Sequence, residues 1–271
     1  TAVRPVAKVS FDSYRHSGML KDRLKAAQRG ILIAGPPGSG KSTFAAGLAE
    51  YLLACNYVVK TLESPRDLQV PAEITQYGPL EGSMEASADI LLLVRPDYTI
   101  YDEVRKTRDF QVFADMRLAG VGMIGVVHAN KPVDALQRLL GRVDLGMIPQ
   151  VVDTVVFIEK GEVTHVLDVE FVVKVPLGMV EADLARPVIV VKDFETGQAE
   201  YEMYSYGEEI VVMAVRKEDE KKPSWNLASR EIEKEISHHV RGPFQVEMLT
   251  DSSAVIHVPQ DEAARVIGKA G

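Results

Sequence analysis

Short apolar runs alternate with segments of helical periodicity over the first half of the chain. Each apolar run has the length of a buried strand, and the segments between the runs place apolar residues at helical spacing. Strands that alternate with helices predict a parallel sheet that is covered on both faces, which is an α/β fold. The predicted strands lie at residues 30–34, 57–62, 74–77, 98–101 and 121–127.

One apolar run, residues 89–94, fits either a strand or the end of a helix that starts near Ser83. Nothing acidic follows this run, whereas residues 98–101 are rich in β-branched and aromatic side chains and end directly on Asp102 and Glu103. Because α/β sheets bind their ligands at the carboxyl ends of the strands, an acidic pair is expected at such an end. We therefore predict a helix for residues 89–94 and a strand for residues 98–101.

The second half of the chain has a different pattern, in which Val-, Ile- and Tyr-rich runs are separated by Gly-containing turns. These runs, at residues 188–192, 199–206 and 209–215, predict a small β meander. Residues 216–223 form a run of charges that is typical of a solvated linker. A helix is predicted at residues 226–239, and two short strands follow it.

Composition narrows the functional classes. A chain of 271 residues, of which 46% are apolar, is long enough for about two domains with a core in each. The net charge of −8 gives no general attraction to nucleic acid, so such contacts would need local basic patches. The single Cys55 excludes a disulfide framework, and we expect a small buried hydrophobe there. No apolar run approaches the roughly 18 residues of a membrane span, so we expect no transmembrane segment and a cytoplasmic location.

The most specific motif joins the first predicted strand to the helix after it. It matches G-x-x-x-x-G-K-[ST], a loop whose backbone amides and following helix N-terminus surround phosphates. Lys41 would reach the β and γ oxygens of a nucleoside triphosphate, and the Ser42 hydroxyl would bind Mg²⁺. The sequence therefore predicts ATP and Mg²⁺ as cofactors. The predicted nucleotide-binding residues are Gly35, Pro36, Pro37, Gly38, Ser39, Gly40, Lys41, Ser42 and Thr43.

Residues at the ends of other predicted strands complete a hydrolytic site. We predict that Asp102 holds Mg²⁺ through water and that Glu103 orients or deprotonates the attacking water. Glu63, at the end of a neighbouring strand, is a second predicted catalytic acid near the γ-phosphate. His128 either senses the γ-phosphate by hydrogen bonding or is a structural residue, and the sequence leaves both roles open.

A transition-state arginine is missing from any recognisable motif of the chain. Such an arginine often comes from a neighbouring subunit, and its absence is consistent with a ring-shaped assembly. The candidate arginines within this chain are Arg95, Arg105, Arg108 and Arg142.

With these residues in place, the chain resembles the secretion and pilus-retraction ATPase superfamily, the PilT/VirB11-like branch of the RecA-fold motors. Residues 61–65 resemble the family's Asp box, with Ser64 where an Asp is usual. Residues 102–105 resemble its metal-binding strand end, with Asp102 where a Gly is common. Residues 126–129 resemble its His box, and the three boxes follow the phosphate loop in the family's order.

The last residues of the chain carry a second resemblance. Residues 266–271 follow a predicted strand and resemble the start of a KH module, in which a G-x-x-G loop holds a nucleic-acid backbone, although a sequence this short also occurs as an ordinary turn. The predicted nucleic-acid-binding residues are Gly268, Lys269, Ala270 and Gly271. A PilT-like core before a KH-like segment resembles the archaeal PIN-domain-containing ATPases, so we expect the chain to be a fragment that lacks the PIN domain.

This resemblance implies a hexameric, ATP-hydrolysing ring motor that acts on DNA, with Holliday-junction branch migration as its role. Two alternatives remain open: a membrane-associated pilus or secretion ATPase, and a nucleotide-gated switch that binds nucleic acid with negligible turnover. The predicted regions are an N-terminal segment (1–29), a RecA-like P-loop ATPase core (30–176), a β-rich extension with a charged linker (177–222) and a partial KH-like module (223–271).

Overall fold

The computed structural model describes residues 9–177, 179, 184–215, 223–237, 244–250 and 253–258. The chain forms two compact units, residues 1–215 and residues 216–271. The predicted G-x-x-G loop at residues 268–271 and most of the predicted linker at residues 216–223 lie outside the described residues.

Helices and strands alternate in the first unit as the periodicity predicts. Its helices are α1 (Ser17–Ala26), α2 (Lys41–Ala54), α3 (Met84–Val94), α4 (Thr107–Leu118), α5 (Pro132–Gln137) and α6 (Ile148–Val151). Its strands are β1 (Gly30–Gly35), β2 (Val59–Leu62), β3 (Thr75–Tyr77), β4 (Tyr98–Tyr101), β5 (Gly122–His128), β6 (Thr154–Glu159), β7 (Glu162–Lys174), β8 (Arg186–Asp193), β9 (Ala199–Tyr206) and β10 (Glu209–Ala214). The ambiguous run at residues 89–94 is helical, and residues 98–101 form a strand, as predicted.

The ten strands form one mixed sheet in the order β10-β9-β8-β7-β6-β1-β5-β4-β2-β3. The pairs from β6 through β1, β5, β4 and β2 to β3 are parallel, and the pairs from β6 to β10 are antiparallel. Strand β1 is therefore central, and the carboxyl ends of the parallel strands lie at one edge of the sheet.

Strand β1 is buried along its whole length because helices cover both faces of the sheet. Leu32 packs on one face with Phe113 of α4, and Ile33 packs on the other face with Leu48 of α2. Since successive side chains of a strand point to opposite faces, a continuous apolar run is what a doubly covered strand requires. Burying each of these side chains contributes about 1.5–3 kcal/mol to stability.

The predicted boundary at residue 176 does not separate two compact units. Strand β7 is 13 residues long, and it pairs with β6 through its first half and with β8 through its second half. The predicted meander therefore continues the sheet of the core, and the division between units falls after Val215. Sequence patterns miss this continuity because the pairing partners of a strand are not encoded locally.

Cys55 was expected to be buried and is instead partly exposed. It caps the carboxyl end of α2, beyond Leu52, the last fully buried residue of that helix.

The second unit contains helix α7 (Pro223–Ser237) and the antiparallel pair β11 (Gln245–Thr250) and β12 (Ser253–His257). Ile236 of α7 and Val246 of β11 are buried in one apolar cluster, which gives the unit a small core. The KH-like assignment stays a prediction. Across the described part of the chain, none of the helices combines the length and apolarity that crossing a bilayer demands.

The packing of β1 against α6 leads to a prediction about Gly30. A Cβ atom at Gly30 would lie 1.8 Å from the backbone oxygen of Val151, so Gly30→Ala must displace main chain. We expect a loss of about 1–3 kcal/mol in the free energy of unfolding, measured by urea denaturation. The control is Gly18→Ala in α1, where no heavy atom lies within 4 Å of the added Cβ. Equal stability of the two variants would contradict this packing.

Candidate active site

The phosphate-binding loop occupies the turn between β1 and α2. Gly38 and Gly40 have positive φ angles of 73° and 95°, which glycine adopts without strain. Lys41 is only 5% exposed, and its Nζ donates a hydrogen bond to the Pro36 backbone oxygen at 2.7 Å. Burial lowers the pKa of Lys41, and the charges of Asp102 and Glu103 oppose that change. A phosphate bound in the loop would favour the charged lysine.

Strand β4 brings its terminal acid to the start of α2. The Ser42 hydroxyl and the Asp102 carboxylate come within 3.5 Å of each other (Oγ to Oδ1). Both are oxygen ligands of the kind that Mg²⁺ prefers, and Mg²⁺ usually takes one or two protein ligands and completes its shell with phosphate and water. The described residues contain no group of three or more His, Cys, Asp or Glu side chains that could hold a metal ion on their own.

Asp102 is a buried carboxyl group surrounded by other acids. It is 4% exposed, and burial, followed by the charges of Asp67, Glu103 and Glu63, raises its pKa to about 7. A divalent cation would offset these terms, because it favours the deprotonated carboxylate. The local electrostatics therefore favour binding of a cation beside Asp102.

Glu103 lies next to Asp102 in a strained backbone conformation. Its φ angle is 57°, in the left-handed region that residues other than glycine rarely adopt. The flanking residues fix this conformation, since the N–H of Asp102 donates to the Leu62 oxygen and the N–H of Val104 to the Val126 oxygen, each at 2.9 Å. Such strain is typical of functional sites. The Glu103 carboxylate pairs with the Arg105 guanidinium at 2.9 Å.

Glu63 is placed differently from the expectation of a catalytic acid. It is fully buried, and each of its carboxylate oxygens accepts two hydrogen bonds. The donors are the Thr61 hydroxyl, the Gln76 amide and the backbone N–H groups of Asp67 and Leu68. These contacts fix the loop after β2 and leave the carboxylate no oxygen to offer to a water molecule, so they support a structural role.

The same loop presents an acid that sequence reasoning missed. Asp67 is largely exposed, and partial desolvation, followed by the charges of Glu63 and Glu103, raises its pKa. Among the charged neighbours of Asp102, Asp67 raises its pKa the most, so Asp67 lies close to the acidic group of the site. The signal in the sequence was an acid inside the turn that follows a strand end, four residues after Glu63.

His128 ends the strand beside the phosphate loop. It pairs with Gly35 in the β1–β5 register, and its Nδ1 is buried without a hydrogen-bond partner among the described residues. Burial and the charge of Lys41 lower the pKa of His128, so the imidazole is neutral near pH 7. An unpartnered ring nitrogen at this position is compatible with the predicted contact to the γ-phosphate.

The four candidate arginines occupy different places. Arg142 is engaged elsewhere, because it donates to the Thr107 hydroxyl and its guanidinium lies over the Phe110 ring. Arg95 ends α3 ahead of β4, at the edge of the sheet opposite the phosphate loop. Arg105 and Arg108 line a cavity of about 290 Å³ together with Asp102 and Glu103, and are the two that remain beside the acids of the site.

Part of the chain matches a known protein family. Residues 6–160 match the family described as type II/IV secretion system protein, which is more than half of the 271 residues. The chain belongs to this family. It is accordingly an ATP-hydrolysing enzyme with an α/β fold built on a large sheet.

Individual relatives extend the similarity beyond the family region. The chain is 59% identical over 274 residues to a KH and PIN-domain containing protein of Methanocaldococcus jannaschii, covering 100% of this chain and 43% of the relative. It is 46% identical over 262 residues to the Holliday junction branch migration ATPase PINA of Sulfolobus acidocaldarius, covering 97% and 50%. The type II secretion system protein HxcR of Pseudomonas aeruginosa is 27% identical over 121 residues, covering 44% and 25%. The chain spans about half the length of the first two relatives.

The raised pKa of Asp102 predicts a pH-dependent gain in stability for Asp102→Asn. The folded protein holds a proton on Asp102 up to about pH 7, whereas the unfolded chain loses it near the ordinary value of 3.8. Wild-type stability is therefore lost between these two pH values and stays low above them. Without nucleotide or Mg²⁺, the variant should match the wild type near pH 4 and be more stable at pH 8.

The expected gain is at most about 4 kcal/mol, because a difference of one in pKa corresponds to about 1.4 kcal/mol. Urea denaturation at pH 4, 6 and 8 measures it. A variant that is less stable than the wild type at pH 8 would show that Asp102 is not a buried, uncompensated acid.

The two glutamates should respond in opposite ways to replacement by glutamine. Glu103→Gln should reduce ATP turnover by about 100-fold or more while stability stays nearly unchanged, because it removes the base and only a partly exposed ion pair. Glu63→Gln should lower stability by about 1–3 kcal/mol, because the new amide N–H₂ faces donors in the loop. A Glu63→Gln protein that is as stable as the wild type but has no turnover would show that Glu63 acts in catalysis.

Proposed function

We propose that this chain is the motor part of a protein that couples ATP hydrolysis to movement on nucleic acid, with branch migration of Holliday junctions as its reaction. The observation that carries the proposal is the extent of similarity to PINA, which runs over 97% of the chain. The match to the secretion protein HxcR covers only 44% of the chain. The part that is shared with PINA but lies outside the match to HxcR includes the second unit, and a secretion ATPase would not need that unit.

The residues of the site have a consistent set of roles in hydrolysis. The loop amides and Lys41 would hold the β- and γ-phosphates, and Ser42 with Asp102 would hold Mg²⁺, whose charge offsets that of the phosphates. Glu103 would orient the attacking water and accept its proton. His128 lies beside the loop, where a neutral imidazole can hydrogen-bond to the γ-phosphate.

We further propose that the protein works as a hexameric ring. Of the four candidate arginines, Arg105 is paired with Glu103, Arg142 is engaged by α4, and Arg95 lies at the far edge of the sheet. Within the described residues, Arg108 is therefore the candidate transition-state arginine for which no ion pair or hydrogen bond is seen. A neighbouring subunit that offers an arginine across the cavity beside Glu103 would complete the charge stabilisation of the transition state.

Contacts with DNA must be concentrated in a few places, because the net charge of −8 disfavours binding over the whole surface. The G-x-x-G segment at residues 268–271 is the proposed contact, since two glycines allow close approach to phosphates and Lys269 adds a positive charge. The family match favours a second candidate, a pilus or secretion ATPase, which would not need DNA.

Phosphate release with and without a synthetic four-way DNA junction tests the proposal. We expect turnover with ATP and Mg²⁺, a several-fold increase on adding the junction, and loss of activity in Lys41→Ala, which removes the positive charge in the loop. Lys60→Ala is the matched control, because Lys60 lies away from the loop and donates to the Thr75 hydroxyl on the edge strand of the sheet.

Two outcomes of this assay would favour the alternatives, and a mixing experiment tests the ring. Turnover that no DNA changes would favour the secretion-type ATPase, and binding of ATP without repeated turnover would favour a switch. Mixing Lys41→Ala protein with wild type tests the ring, since shared sites lose activity more than in proportion to the inactive fraction. Strictly proportional loss would show that the subunits act independently.

A further inference from the structure

The hairpin between β6 and β7 touches the phosphate-binding loop. Glu159 pairs with Glu162, so Lys160 and Gly161 form a two-residue turn, and their φ angles of 53° and 85° are those of a type I′ turn. The hairpin ladder does not use the N–H of the second turn residue. This N–H, on Gly161, donates to the Ser39 backbone oxygen at 2.9 Å.

The hairpin also lies against the loop at two glycines. A Cβ atom at Gly40 would lie 3.3 Å from the Cα of Gly161, and a Cβ atom at Gly35 would lie 2.2 Å from the Ile158 backbone oxygen. Both ends of the loop thus depend on glycine for the approach of the hairpin backbone, in addition to any approach of a phosphate. Strand pairing fixes the position of the hairpin relative to the loop, because β6 is hydrogen-bonded to β1, the strand that leads into the loop.

The hydrogen bond to the Ser39 oxygen also sets the direction of the Gly40 N–H. A trans peptide is planar, so the C=O of Ser39 and the N–H of Gly40 point in opposite directions. Because the C=O points at the hairpin, the N–H of Gly40 points away from it. Amide N–H groups of this loop are the donors that hold a bound phosphate.

We propose that Gly161 is a positioning residue for the nucleotide: its backbone N–H orients the Ser39–Gly40 peptide and so presents one amide donor to the phosphates. The inference rests on nucleotide binding at this loop, which is part of the proposed function, and it is independent of DNA and of assembly. Loop amides hold the phosphates both before and during the reaction. Losing one of these donors should therefore raise KM for ATP while kcat changes little.

Lengthening the turn tests this role without changing a side chain. Inserting two glycines between Lys160 and Gly161 moves the N–H away from Ser39 and keeps both strands. The matched control inserts two glycines between Gly207 and Glu208, in the two-residue turn between β9 and β10, which is closed by the pair Tyr206 and Glu209. Both insertions lie in exposed turns and should lower stability by similar, small amounts.

We expect the first insertion to raise KM for ATP and the Kd of a slowly hydrolysed ATP analogue about tenfold, and the control insertion to change neither. We expect kcat to stay within about twofold of the wild-type value, because the donor acts on the bound phosphates throughout the reaction. An unchanged KM in a folded insertion variant would overturn the inference. A wild-type chain that binds no ATP would overturn both the inference and the proposed function.

A substitution that keeps the N–H separates positioning from strain. Gly161→Ala retains the donor and meets no atom within 4 Å, but it places alanine at a positive φ angle, as does Gly207→Ala in the control turn. Both variants should lose similar stability and keep the wild-type KM. A tenfold rise of KM in Gly161→Ala would show that turn strain, and not the hydrogen bond, acts on the site. Slow amide exchange of Gly161 relative to Glu208 in the wild-type protein is the direct check of that bond.

Discussion

The hydrogen bonding of β1 to β5 on one side and β6 on the other determines where the active site can lie. Because these three strands are parallel, their carboxyl ends meet at one edge, and the chain leaves β1 there to form the phosphate loop. The same pairing places His128 opposite Gly35 and brings the β6–β7 turn against Ser39. The position of the site thus follows from the strand order. The backbone forms the phosphate loop, and the side chains of neighbouring strand ends lie around it.

The charges at this edge are arranged for a ligand. Without one, burial shifts the pKa of Lys41 down and the pKa of Asp102 up, so both groups are pushed toward their neutral forms. A nucleotide with its Mg²⁺ would supply an anion for the lysine and a cation for the aspartate, and would reverse both changes. Under the proposed function, the stability lost at Asp102 would be offset by ligand binding, a relation that is common at active sites.

The catalytic and binding roles of these residues stay predictions. The order of strand, loop and helix over residues 30–54 and the strand that ends just before Asp102 and Glu103 could be predicted, because strand, turn and helix signals are contiguous there. The positions of Glu63 and Asp67 could not, because they depend on how the loop after β2 folds back onto Gln76. The continuation of the sheet through β8, β9 and β10 and the contact of Gly161 with Ser39 were also missed, since both arise from pairings distant in sequence.

We propose that ATP hydrolysis at this edge of the sheet drives movement on branched DNA. The most direct measurement follows the conversion of a labelled, mobile four-way junction into duplex products by the chain, with ATP or with a non-hydrolysable analogue. We expect products with ATP and Mg²⁺, none with the analogue, and none with Glu103→Gln protein. Steady ATP turnover beside an unchanged junction, or equal conversion with the analogue, would contradict it.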